Sequence, residues 1–487
     1  MRPKPFPHSV IGAEARSKKA GGEPSCSWAL WAAEQFGRAE LGDKRLTARL
    51  VAVGAALGER PADTVPQASG SWAATKGAYR LIENKRVRKE PIFQSVSQAT
   101  AGRCAGRRVV YSVQDTTDLT FPTAREAAAQ MGYVNDSDIG AMHLHSALAL
   151  DEDGVALGLL DAQMWARDPA ERGKKRQRHS RPIEEKESAK WLRGIAAVQQ
   201  AINRAAPAAR RPRVIHLFDR EGDIHRVFED IAKAGHGAVI RAMQDRCVAA
   251  DADGVEHAYK RLRAQAPWGR RVVAVPRKGV RAGRSATVAL RSCHVTLAPG
   301  AARHRRTPSV SLWLVEALEE NPPAGCEPLH WRLWTTEPAG SLSEAARVLA
   351  IYALRWKIED YHLALKCGCA VEELRMHTAE RIAKTIAIYA PVAARLVELR
   401  DRARATPEAP CTDVITDHEW RVLWTMIQKS PPAPDTPVPT IRQAVLWIGR
   451  LGGHLGRKGD GMPGVKTLWR GLRDLQLLVH YAHVFNP

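Results

Sequence analysis

The chain has 487 residues, 45% of them hydrophobic, and a formal net charge of +21 from 73 basic and 52 acidic residues. That length and composition suit a globular protein of two to four domains and exclude a disordered or fibrous chain. The basic excess points to a polyanionic partner, and no run approaches the roughly 20 apolar residues of a membrane span.

Residues 1–27, rich in Pro, Gly and Lys, read as a flexible leader without the apolar core of a signal peptide. Helical periodicity begins at Ser27 and resumes after Asp43, a plausible N-cap. In this second helix Lys44, Arg45, Thr47 and Arg49 decorate an otherwise apolar pattern. Such a face either meets water or lies against DNA phosphates. A further helix ends near Asn84.

From Arg108 the pattern turns to period two. Val109 to Phe121 reads as an apolar strand running into Asp115. His143–Leu150 and Val155–Trp165 read as two more strands, joined by the hairpin signal Asp151-Glu-Asp-Gly154. A basic tract follows at 174–181, fit for a surface loop or for DNA backbone contact. A helix is expected from Glu184, and a buried strand from Arg213 delivers Asp219. An Asp in that place is commonly a helix cap, yet the crevice beyond strand ends is also where open α/β sheets carry sites. Between 239 and 338 several strands are expected, with Arg241, Arg277, Lys278, Arg281 and Arg284 making the stretch basic.

Ser341 to Cys369 reads as one long helix. A wheel places Leu354, Ile358, Tyr361 and Leu365 on a core-facing side. Tyr352, Arg355, Glu359, His362 and Lys366 fall opposite, on a face that water alone could occupy. A long helix follows from Thr378 to Ala405, then Pro-rich linkers at 407–411 and 431–439 and further helices. The eight cysteines include no CxxC pair, which suits reduced structural thiols in a cytoplasm.

The spacing Tyr-x-x-Arg-x-x-x-Glu-x-x-x-x-x-x-Lys, complete as Tyr352, Arg355, Glu359 and Lys366, resembles the signature of DDE transposases of the insertion-sequence-four family, the Tn5-like ones. Gln114-Asp115-Thr-Thr resembles that family's first aspartate box, and Asp219-Arg-Glu-Gly-Asp-Ile-His225 its second. The LGDKRLTARL and KGAYRLIEN stretches are similar to its end-recognition domain, Glu-Lys-Glu-Ser-Ala-Lys-Trp191 to its core, and Arg450-Leu-Gly-Gly453 and Trp469 to its C-terminal domain.

The resemblance implies an α/β fold with a ribonuclease-H-like catalytic core and a β-rich insertion at about 239–338, flanked by helical N- and C-terminal domains. The expected boundaries are 28–88 for end binding, 89–402 for catalysis and 403–487 for dimerisation. It implies Asp115, Asp219 and Glu359 as the catalytic carboxylates, holding two Mg²⁺ ions that Mn²⁺ can replace. Hard divalent cations take oxygen ligands, and two of them stabilise the entering and leaving oxygens of a phosphodiester. DNA contacts are implied for Tyr352, Arg355, Lys366, Trp331, Arg241, Lys44, Arg45 and Arg49, with Trp331 stacking on a flipped base or else serving as a core aromatic. The implied partners are double-stranded DNA, as transposon ends and target, and a second copy of the chain, with no membrane. The implied setting is a bacterial cytoplasm, at the nucleoid. Two alternatives stand beside cut-and-paste transposition: a ribonuclease-H-fold nuclease without strand transfer, and a non-catalytic sequence-specific DNA-binding protein.

Overall fold

The computed structural model describes residues 28–134, 140–174, 181–249, 255–275, 283–298, 301–302, 305–306, 309–457 and 460–485. The leader, most of the 174–181 tract, and Arg277, Lys278 and Arg281 lie outside the described residues.

Helices α1 (Trp28–Phe36), α2 (Lys44–Glu59), α3 (Val65–Ser69), α4 (Trp72–Glu83) and α5 (Lys89–Cys104) come first. The caps follow local chemistry. The Asp43 carboxylate accepts from the Arg45 backbone N–H, as expected, and the Ser71 hydroxyl accepts from Ala74, each satisfying a donor that the first helical turn leaves free.

Then come β1 (Val109–Thr120), α6 (Arg125–Ala128), β2 (Ala141–Leu150), β3 (Ala156–Trp165), α7 (Ala189–Ala205), β4 (Arg213–Phe218), α8 (His225–Lys233) and β5 (Gly237–Arg241). The α7 helix begins five residues later than the sequence suggests. Ile183–Glu185 is a single 3-10 turn, and Lys186 after it is extended at φ −101° and ψ 157°. Beyond β5 lie β6 (Cys247–Ala249), β7 (Val255–His257), α9 (Ala258–Arg263), β8 (Gly269–Val275), β9 (Arg284–Leu297), the short β10 (Ala301–Ala302) and β11 (Arg305–Arg306), β12 (Val310–Glu319) and β13 (His330–Thr335).

Among the described residues, eleven strands form one mixed sheet in the order β3-β2-β1-β4-β5-β13-β12-β9-β6-β7, with β8 on β9. The pairs β1–β4 and β4–β5 are parallel, and β1–β2, β2–β3 and β5–β13 antiparallel. The β-rich stretch therefore does not stand apart. Its first and last strands, β5 and β13, are neighbours inside the main sheet.

After the sheet run α10 (Leu342–Ala353), α11 (Lys357–Leu363), α12 (Ala379–Ala405), α13 (Asp417–Gln428), α14 (Ile441–Leu451) and α15 (Val465–Phe485). The expected single helix over 341–369 is instead four joined pieces: α10, a 3-10 turn at Leu354–Trp356, α11, and a π-turn at Ala364–Gly368.

One continuous apolar core holds α1 to α5, one face of the sheet and α12, through residues such as Phe36, Leu50, Val113, Leu217 and Ile386. The docking of α4 on α12 is polar as well. Buried Lys384 donates to the carbonyls of Ile82 (3.3 Å) and Asn84 (3.0 Å), acceptors that the end of α4 leaves open. The C-terminal helices gather a separate core around Leu399, Trp420, Ile448 and Leu475.

Candidate functional site

Strand alternation and register bring the two aspartates together. On β1, Val109, Tyr111 and Val113 point into the main core; on β4, Ile215 and Leu217 do the same. Asp115 and Asp219 continue those two rows, and successive side chains in a strand alternate faces. The parallel register pairs Val113 with Leu217, so two residues further on Asp115 is level with Asp219. Two carboxylates thus stand on one face, just beyond the point where the parallel pairing of β1 with β4 stops. Asp219 also caps, as its sequence position allowed: its Oδ1 accepts from the Glu221 N–H at 2.9 Å.

The 342–368 element crosses the same face. Arg355 Nη1 donates to Asp115 Oδ2 at 3.1 Å, and Nη2 donates to Glu359 Oε1 at 3.4 Å. One guanidinium therefore bridges the first carboxylate to the third, a use for which its planar fork suits it better than a lysine would. Burial, and then the like charge of Asp219, push Asp115 up to about 6, with Glu359 adding to the rise and Arg355 opposing it. Burial also raises Asp219, against the pull of Arg355 and Lys190.

A hard divalent cation fits this donor set in chemistry: oxygen ligands only, from carboxylates whose mutual repulsion a cation would relieve. As the side chains stand, no three His, Cys, Asp or Glu among the described residues are close enough to hold one ion.

The remaining expected residues divide. Tyr352 is buried, with its ring edge-on to Trp331 at 5.2 Å and 76° between planes. Trp331 is partly buried against the main core, and Arg241 beside it donates to the His330 carbonyl at 3.2 Å. Lys366 lies further along β1, toward its C-terminal end, 3.8 Å from Glu372, whose carboxylate accepts from the Thr120 N–H. Lys44, Arg45 and Arg49 are exposed on α2, in the N-terminal helices; the structure does not bring them to the carboxylates.

The wheel needs one correction. Tyr352 and His362 fall on its polar side yet are buried, His362 driven down to about 3 by burial and then by Lys366 and Arg355. The 3-10 and π turns break the even 100° step on which a wheel depends, and part of the polar side meets the sheet through Arg355 and Asp115 while Glu359 stays 41% exposed. Ile358, Tyr361 and Leu365 are buried as the wheel has them.

Two features escaped the sequence. Lys190 is nine-tenths buried and reaches Glu221 at 3.0 Å, next to Asp219; its only signal was its place in the Glu-Lys-Glu-Ser-Ala-Lys-Trp191 string. Beneath Asp115, on the other face of the sheet, runs a line of side-chain hydrogen bonds. Thr116 donates to His145 Nδ1 (2.9 Å), His145 Nε2 to Gln114 Oε1 (3.2 Å), Gln114 Nε2 to His216 Nδ1 (3.3 Å) and His216 Nε2 to His236 Nδ1 (2.9 Å). Gln114 sets this polarity, since its amide offers an acceptor at one end and a donor at the other. Burial keeps His145 and His216 well below the usual histidine range, hence neutral as the line requires.

Residues 29–87 match the family described as transposase DNA-binding, and residues 391–486 the family described as transposase Tn5 dimerisation domain. No helix among the described residues is long and apolar enough to cross a membrane. With a DNA-binding part at one end, a dimerisation part at the other and a large mixed sheet between them, the matches support a Tn5-like transposase.

Proposed function

We propose that the chain is a cut-and-paste DNA transposase of the insertion-sequence-four type, built on a ribonuclease-H-like core. It binds terminal inverted repeats as a homodimer, cleaves at the element ends through a hairpin and joins them to target DNA. The observation that carries the reading is the convergence of Asp115, Asp219 and Glu359, from three distant segments, around Arg355. Asp115, Asp219 and Glu359 would hold Mg²⁺, which when bound supplies Lewis-acid stabilisation of the phosphodiester's entering and leaving oxygens. Arg355 and Lys366 take backbone phosphates, and the N-terminal helices fix the end in register through Lys44, Arg45 and Arg49. Arg241 and Tyr352 support Trp331, which receives an unstacked base.

The test is a time course on a labelled duplex carrying the inverted repeats that flank the gene. Wild-type protein with Mg²⁺ should give nicked, then hairpinned, then joined products. Asp115→Ala, Asp219→Ala and Glu359→Ala should each abolish all three while end binding, read by mobility shift, persists. Wild-type nicking by Asp219→Ala overturns the site, and nicking without hairpin or joining indicates a plain nuclease.

A further inference from the structure

The residues on both sides of Glu359 are tied to α12. Lys357 forms an ion pair with Asp401. Asp360 accepts from Arg400 Nη2 at 2.8 Å, and the same nitrogen lies 3.0 Å from Asp401 Oδ1. The four side chains make one chain of ion pairs, Lys357–Asp401–Arg400–Asp360, and its α12 members are the most buried, with Arg400 5% and Asp401 1% exposed. A desolvated ion pair of this kind adds little to net stability, but its geometry is strict because breaking it strands a charge.

The far end of the same element is held too. A Cβ placed on Gly368 would stand 3.0 Å from the Trp469 ring, so α15 packs directly on the backbone of the π-turn. Arg400, Asp401 and Trp469 all lie within 391–486, the segment that matches the dimerisation family.

We propose that Arg400, Asp401 and Trp469 are positioning residues for Glu359, through which docking of a second copy on the 391–486 segment sets where the Glu359 carboxylate lies relative to Asp115 and Asp219. The proposal rests on the reading of Glu359 as a metal-binding carboxylate. Asp401→Asn and Arg400→Lys loosen the network with nearly unchanged volume. Gly368→Ala removes no charge and presses only on Trp469, in a turn that tolerates Ala at least as well as Gly.

Three measurements on the full chain decide it: amide hydrogen exchange without metal, Mn²⁺ binding by the loss of its free electron-spin resonance signal, and the Mg²⁺ concentration for half-maximal nicking. In each variant the amides of 357–366 should exchange faster while those of 109–118 do not change. Mn²⁺ affinity should fall about 10-fold, as expected when groups supporting a ligand are lost, and the Mg²⁺ requirement should rise by the same factor. Wild-type Mn²⁺ affinity should increase when the protein is concentrated into dimers, and the variants should lose that dependence. Unchanged Mn²⁺ affinity in folded variants, or wild-type affinity equal in monomer and dimer, overturns the proposal. Its failure is separate from failure of the site: if wild-type protein binds no Mn²⁺ and Asp115→Ala nicks normally, the metal reading itself is wrong.

Discussion

The arginines of the sheet face and those of the N-terminal helices live under opposite conditions. Arg355 is 13% exposed and divides its guanidinium between Asp115 and Glu359. Arg45 is 92% exposed and pairs with its neighbour Asp43, while Lys44 and Arg49 are exposed on the same helix. Exposed pairs add little to stability and are screened by salt, so the α2 cations are free to exchange partners. A buried guanidinium holds fixed geometry instead, and its loss leaves carboxylates facing one another. The same residue type thus stays adaptable in one region and is held in a fixed geometry in the other.

The largest expected effect tests the second half of that contrast. Arg355→Ala should slow nicking by on the order of 100-fold or more, the scale for removing one preorganised charge contact, and Arg355→Lys should not restore it because a point charge cannot bridge two carboxylates. Single-turnover nicking rates at saturating duplex check this; a Lys variant near wild type would show that charge alone matters there.

Trp331→Ala comes next. Stacking recovers about 1–3 kcal/mol per base, so hairpin formation should slow by roughly 5- to 150-fold while the first nick proceeds. Equal loss of both steps, or an unfolded protein, would make Trp331 a packing partner of Tyr352 and nothing more.

His216→Ala strands Gln114 and His236 in the line beneath the sheet. It should cost about 1–3 kcal/mol of stability, read from denaturant midpoints, and shift the imidazole nitrogen signals of His145 and His236. No change in those signals would mean that the line does not exist in solution.

The smallest effects belong to α2. Lys44→Ala and Arg49→Ala should leave the unfolding midpoint unchanged, and each should lower the slope of log affinity against log salt by about 0.9. Salt-independent losses would place these side chains in folding rather than in DNA contact.

What the sequence revealed and what it hid differ for physical reasons. The strands carrying Asp115 and Asp219 were legible because apolar alternation ends abruptly in a carboxylate at both. The strands expected between 239 and 338 formed as well, among them β8, β9, β12 and β13. The 3-10 and π turns around Glu359 were not legible, since they arise where an amphipathic element is pressed from two sides. Nor was the Gln114 line: the two histidines that meet Gln114 are 31 and 102 residues from it along the chain, and sheet register makes them neighbours. The clamp on Glu359 was hidden likewise, because Arg400 and Asp401 in sequence are ordinary charges on a long helix.

The helix α12 has a consequence for anyone who would exchange parts between related chains. Its first half supplies Lys384 to the end of α4, its last turns hold Arg400 and Asp401 against the residues flanking Glu359, and the dimerisation match begins within it at residue 391. A chimera cut at either end of the helix separates a surface from the side chains made to meet it. Foreign N-terminal helices grafted here would have to end where α4 does to offer the Lys384 ammonium its two carbonyls, and a foreign C-terminal part joined inside α12 would remove the brace on Glu359. The transferable unit is therefore not a stretch of sequence between two linkers but an interface, and α12 has to travel with whichever neighbour it is meant to keep.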